Sequence, residues 1–191
     1  MSSDPFGEVP ALPVAIPFGA LVLVVQVLVL LRGRRFSWPR AAVAAAIAVY
    51  AAGILANTVF PIFTRPVPRV GPWTPALALV PFSDYEVADA LMNVGVFVPL
   101  GILLPLLMRR PAWWKVLVIA ATVSVTIELL QLGAQRFFAG GHVADVNDFL
   151  WNTVGGCVGY ALYALLSRIP VLSGIVDVFR WHRSAARTRP A

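Results

Sequence analysis

Charge, cysteine and histidine are scarce in this 191-residue sequence: charged residues make up 13%, and there are one cysteine and two histidines. A soluble domain carries about 25% charge, so a water-exposed surface of ordinary kind is excluded. The lone cysteine, Cys157, leaves no intramolecular disulfide and no cysteine metal cluster. Walker-type loops, dinucleotide fingerprints and Cys/His zinc spacings are also missing, so no cofactor is expected. No internal repeat or low-complexity segment is visible, which argues against inverted-repeat transporter architectures. What fills the chain instead is apolar, at 59% hydrophobic residues and a mean hydropathy of +0.81.

The apolar residues gather in five stretches, at about 11–31, 41–63, 91–108, 116–134 and 149–166. Each matches the roughly 20 residues that a helix needs to cross a hydrocarbon layer. The expected fold is therefore an all-α polytopic membrane bundle of about five transmembrane helices. We divide it at residues 1–77 (two helices and an outer loop), 78–165 (three helices) and 166–191 (a basic tail). The first stretch follows acids, precedes an arginine cluster and lacks a small-residue cleavage site, so it reads as a retained anchor rather than a signal peptide.

The remaining charges sort by side. Arg32, Arg34, Arg35 and Arg40, then Arg109, Arg110 and Lys115, then Arg168, Arg180, Arg183, Arg187 and Arg189 fall on one face. The other face has Arg65, Arg69 and Arg136, but carries Asp4, Glu8, Asp84, Glu86, Asp89, Asp145 and Asp148. The positive-inside rule then places the N-terminus outside and the C-terminus in the cytoplasm. The net charge of +6 is thus a matter of topology and of anionic lipid headgroups around the tail, not of nucleic acid.

Small residues mark where helices approach. Ala44, Ala48, Ala52 and Ala56 recur at helical spacing in the second stretch, and Gly155, Gly156 and Gly159 in the fifth. Polar residues within the apolar stretches mark a site, because burying an ionisable group in lipid costs at least about 2.5–3.5 kcal/mol. Glu128 is the acid that meets this cost, with Gln131 and Gln135 on the same helical face. Asn57 and Thr58, Asn93, and Asp145, Asp148 and Asn152 come to the same depth on the other helices, whereas Gln26 lies in the inner third of the first. Asp145 with Asp148 also fits a helix N-cap with an acid in the first turn. Ser83 with Glu86 fits a capping box opening the third helix, and Glu128 fits a structural role paired with Arg136. A divalent cation on Asp145, Asp148 and Glu128 is chemically conceivable, but the spacing is undistinctive and no metal is expected.

Four motifs in order carry a resemblance. They are Pro81-Phe82 after Leu79-Val80; Asn93-Val94-Gly95-Val96-Phe97-Val98-Pro99-Leu100-Gly101; Ser124 to Gln131 with Glu128 between; and Asp145-Val146-Asn147-Asp148 through Asn152 to Gly155-Gly156. Together they resemble the VanZ-like family of small bacterial membrane proteins over roughly residues 78–165. That family carries an Arg a few residues before its first Asp, whereas here Arg136 stands nine before Asp145. The resemblance implies an association with reduced sensitivity to teicoplanin and no established reaction. The resulting expectation is an envelope protein that lowers sensitivity to lipoglycopeptide antibiotics through an outward-facing polar site. Its binding residues would be Asn93, Glu128, Gln131, Arg136, Asp145, Asp148 and Asn152, and its partners membrane lipids, the antibiotic or a lipid-linked cell-wall component. The alternative is a membrane-embedded hydrolase or transferase on lipid headgroups, with Glu128, Asp145 or Asp148 as general base and Arg136 and His142 on phosphate.

Overall fold

The structure is a computed structural model that describes residues 7–65, 74–83, 86–138 and 143–182. Its long helices are α1 (Leu12–Arg32), α2 (Trp38–Val59), α3 (Val87–Leu107), α4 (Trp113–Phe138) and α5 (Val146–Leu166), with a short α6 (Pro170–Phe179). The first five are long and apolar enough to cross a membrane. At about 1.5 Å per residue, helices of this length match a hydrocarbon layer of roughly 30 Å. Exposed Leu, Val and Ile cover their outer faces, as lipid-facing surfaces require. Thr122, Thr126 and Thr153 keep their hydroxyls out of the apolar phase by donating to the carbonyls four residues back.

Helix boundaries differ from the sequence expectation where prolines and loops intervene. The second helix was expected to reach residue 63, but α2 ends at Val59, because Pro61 cannot donate an amide and Ile62–Phe63 leave as strand β2. This β2 pairs antiparallel with β1 (Glu8–Val9). The turn into β1 needs a left-handed residue, supplied by Gly7 at φ 64°. At its start α3 begins four residues earlier than expected, and the capping box is not made. Glu86 is the N-cap residue without a side-chain cap bond, and the Ser83 hydroxyl donates instead to the Val80 carbonyl at 2.9 Å. The S-x-x-E pattern is overridden here by a local turn. At α5 the cap expected at Asp145 does form, its carboxylate accepting from the Asn147 amide at 2.7 Å.

The tightest helix pair is α3 with α5, and glycines make it possible. A Cβ on Gly159 would lie 2.8 Å from the Gly101 Cα, and one on Gly155 would lie 2.9 Å from the Val94 Cα. The third glycine, Gly156, turns toward α4, where a Cβ would come within 2.6 Å of the Ala120 Cβ. The helices thus meet nearly backbone to backbone, the geometry expected where lipid supplies no hydrophobic drive for association. Two apolar clusters flank this seam. Phe97, Ala120 and Ile127 fill one, and Val43, Leu106 and Tyr163 the other. The alanine repeat of α2 serves α1, whose Gly19 faces Ala48 and Ala52.

The tail carries a helix that hydropathy windows of spanning length do not separate. At ten residues α6 is too short to span. It keeps all its residues at least partly exposed and leans Val176, Phe179 and the following Trp181 on the Val43–Leu106–Tyr163 cluster. The Trp181 amide donates to the Leu106 carbonyl at 2.9 Å, using an acceptor left over at the end of α3. Basic side chains surround this junction. Arg40 donates to the Arg180 carbonyl at 2.8 Å, and Arg35 to the His182 Nδ1 at 3.0 Å. Burial, and then the positive fields of Arg35, Arg109 and Arg40, hold His182 below its ordinary pKa, in keeping with a neutral ring that accepts from Arg35.

Gly159→Ala is expected to lower stability by about 1–3 kcal/mol, because the added methyl must force two backbones apart. Gly53→Ala, with nothing within 4 Å of its new methyl, should leave stability unchanged or slightly raised. Thermal unfolding in detergent, read by tryptophan fluorescence, checks the pair, and equal melting temperatures would overturn the assignment of the seam.

Candidate functional site

Where α2 ends and α3 and α5 begin, the chain must leave the helical ladder, and its backbone groups need partners in a region poor in water. Side chains from the helices supply them. Strand β3 (Leu77–Ala78) pairs parallel with β4 (Ala144–Asp145), joining the loop after α2 to the loop after α4. The Ala76 amide donates to Gln135 Oε1 at 3.1 Å, and the Phe82 amide to Asn147 Oδ1 at 2.7 Å. The Asp145 amide donates to Glu128 Oε2 at 2.9 Å. Glu128, the intramembrane acid, therefore acts as the acceptor that ties the start of α5 onto α4.

Beside this clasp lies a cavity of about 570 Å³ walled by four helices. Asn57 and Thr58 reach it from α2, and Asp89 and Asn93 from the first two turns of α3. The fourth helix contributes Gln131, and Asp145, Asp148 and Asn152 come from the N-cap and first turns of α5. Met92, Val96, Phe97 and Ile127 give it an apolar wall. Two side-chain bonds hold its shape. Asn93 Nδ2 donates to Asp148 Oδ1 at 2.6 Å, and Asn152 Nδ2 to Ser124 Oγ at 3.1 Å. The first is short for an N–H···O bond, as expected when the acceptor is a carboxylate.

Of the residues expected at the site, Asn93, Gln131, Asp145, Asp148 and Asn152 surround this one cavity. Glu128 stands behind its wall on the Asp145 amide. Arg136 lies two turns beyond Glu128, at the exposed end of α4, with its guanidinium 5.8 Å from the Phe137 ring centroid. His142 and Arg69 lie outside the described residues. Two contributors were not among the expected binding residues, although Ser124 opens one of the family motifs. Asn147, 2% exposed, is recognisable only through its loop contact, while Ser124, fully buried, sits one turn before Glu128 on the same face. Among the described residues, no group of three or more His, Cys, Asp or Glu is placed to hold a metal ion.

Five spanning-length apolar helices, four of them around a polar cavity at one end, define a multi-pass α-helical membrane protein. Among protein families, VanZ/LLP1 matches residues 47–167, more than half of the chain, and the chain belongs to that family. The chain is also similar to Protein VanZ of Enterococcus faecium, at 31% identity over 94 residues, which are 49% of this chain and 55% of that protein. It thus spans about half the length of this curated relative. No solved structure matches the chain.

Replacing Glu128 tests the clasp directly. Glu128→Leu removes the acceptor of a part-buried amide, at a cost of about 1–3 kcal/mol, whereas Glu128→Gln keeps an acceptor oxygen. With Cys157 replaced and a reporter thiol introduced by Ala144→Cys, a buried position, labelling should be several-fold faster in the Leu variant only. Equal rates in all three backgrounds would show that Glu128 does not hold this segment.

Proposed function

We propose that this chain is a bacterial plasma-membrane protein that lowers sensitivity to teicoplanin and similar lipoglycopeptides, by engaging a membrane-anchored headgroup in the α2–α5 cavity. The observation that carries this reading is the cavity itself: three carboxylates and five amides or hydroxyls converge with an apolar wall at one end of the helices. A pocket of that mixed lining suits a molecule with a polar head and a hydrocarbon stem. Membership of VanZ/LLP1 and the likeness to Protein VanZ support the class of function.

The cavity's exposure to the outside is part of the proposal. Chain direction puts Arg32, Arg40, Arg109, Lys115 and Arg168 at the helix ends opposite the cavity. An excess of Lys and Arg belongs to the cytoplasmic side, so the cavity belongs to the outer one. A thiol introduced by Val143→Cys, exposed at the cavity rim, should react in intact cells with a membrane-impermeant maleimide, on a background lacking Cys157. Reaction only after permeabilisation would reverse the orientation and end the outward reading.

Susceptibility tests the function. A susceptible Gram-positive host expressing the chain is expected to tolerate teicoplanin at least several-fold better than the empty host, with vancomycin little changed. Asp148→Asn, at matched membrane levels, is expected to remove the difference. Unchanged teicoplanin susceptibility with well-inserted protein would overturn the reading.

A further inference from the structure

The chemistry left unspent in the cavity names the class of its ligand, on the footing that the cavity is the binding site proposed above. Asp89, Asp145 and Asp148 line it together, and no Lys, Arg or His stands among its described lining residues. The carboxylates are not consumed by the fold. The first oxygen of Asp148 accepts from Asn93, and the first oxygen of Asp145 from its own helix amide. Each carboxylate offers about four acceptor positions. Three of the four lining amides already donate within the fold, Asn93 Nδ2 to Asp148, Asn152 Nδ2 to Ser124 and Asn57 Nδ2 to the Gly53 carbonyl.

A second, independent observation points the same way. Asn152 is 4% exposed, lines the cavity, and has a buried Oδ1 without a hydrogen-bond partner. Gln131 Oε1, on the facing helix, is likewise buried and unpartnered. A buried acceptor left unmade costs about 1–3 kcal/mol, and the fold supplies neither oxygen with a donor. The amide oxygens call for hydrogen-bond donors, and the carboxylates favour donors that carry positive charge.

We propose that the cavity binds a primary ammonium group carried on a membrane-anchored molecule. An alkylammonium has one positive charge and three N–H donors with no acceptor, which complements this acceptor set. A phosphate or carboxylate would meet three like charges. A bare divalent cation would find no cluster of acidic ligands placed for it among the described residues, and would face the Asn93 N–H groups that already sit on Asp148. The volume of about 570 Å³ far exceeds an ammonium ion, and the Met92–Val96–Phe97–Ile127 wall receives the carbon stem that bears it. Two sources share this chemistry: an aminophospholipid of the outer leaflet, and an amine on a lipoglycopeptide.

The test uses the purified full chain in detergent and four probes in calorimetry. These are dihexanoyl phosphatidylethanolamine, its choline counterpart, which lacks N–H donors, and teicoplanin before and after acetylation of its amine. At least one free-amine probe is expected to bind at least tenfold more tightly than its amine-blocked counterpart. Asp89→Asn, an exposed position in the first turn of α3, and Asp148→Asn should each weaken that binding at least several-fold, with unfolding temperatures confirming intact protein. Preference for the ethanolamine lipid identifies a lipid source, and preference for unacetylated teicoplanin an antibiotic source; both support the assignment. Equal binding of blocked and free amines, binding insensitive to both Asp variants, or no binding of either amine by folded protein would overturn it. Teicoplanin tolerance in cells without amine preference in the calorimeter would end the ammonium assignment and leave the envelope reading intact. Amine binding without any change in susceptibility would do the reverse.

Discussion

The close approach of α3 and α5 is the constraint on which the rest of the molecule depends. Lipid tails are as apolar as leucine, so helices in a membrane gain little by hiding apolar surface from it; they gain by packing closely and by making polar bonds across the contact. Gly101, Gly155 and Gly159 allow the first, and the second follows from it. Asn93 lies next to Val94, which meets Gly155, and Asp148 lies two turns before Gly155. Once the glycines set the register, Asn93 and Asp148, 55 positions apart in sequence, come within 2.6 Å.

The same constraint explains where polar groups are concentrated. Helices held along their middle by glycines leave their ends joined by loops, and those loops carry amides that lipid cannot satisfy. Glu128, Gln135 and Asn147 each accept from such an amide. These contacts spend the acceptors on the loop side and leave Asp89, Asp145 and Asp148 toward the cavity. Asp89 and Asp148 also sit in the first turns of α3 and α5, where the helix dipoles favour negative charge. The acids are thus accommodated by backbone dipoles without a neutralising side chain in the described lining.

The five helices were legible in the sequence because length and hydropathy alone specify a spanning segment, and that signal is insensitive to what the helix touches. The glycines of α5 were legible as a packing face for the same reason, since spacing on a helix fixes direction. The polar residues could be placed at a common depth by counting along each helix, which is how Asn93, Gln131, Asp148 and Asn152 came into view together. The limits of α2 and α3 and the unmade Ser83–Glu86 cap were not legible, because a loop's conformation depends on contacts with distant segments. Glu128 shows the same limit. Its rarity in an apolar stretch marks it as important, but only the position of the Asp145 amide assigns it to the clasp instead of the cavity lining. Asn147 lacked a mark of its own and Ser124 had only its place at the head of a motif; burial is what singles these two out.

The outermost helix and the central pair tolerate substitution differently. The first helix rests on α2 through Gly19 against Ala48 and Ala52, and most of its remaining surface is exposed and apolar, the face a bilayer covers. A residue judged only by the bilayer is free to exchange with any other of similar greasiness, so Leu, Val and Ile along α1 are interchangeable letters. The vocabulary of α3 and α5 is narrow, because there each position answers to a neighbouring backbone. Within one small protein, then, two alphabets operate: a permissive one written by the solvent and a strict one written by the chain itself.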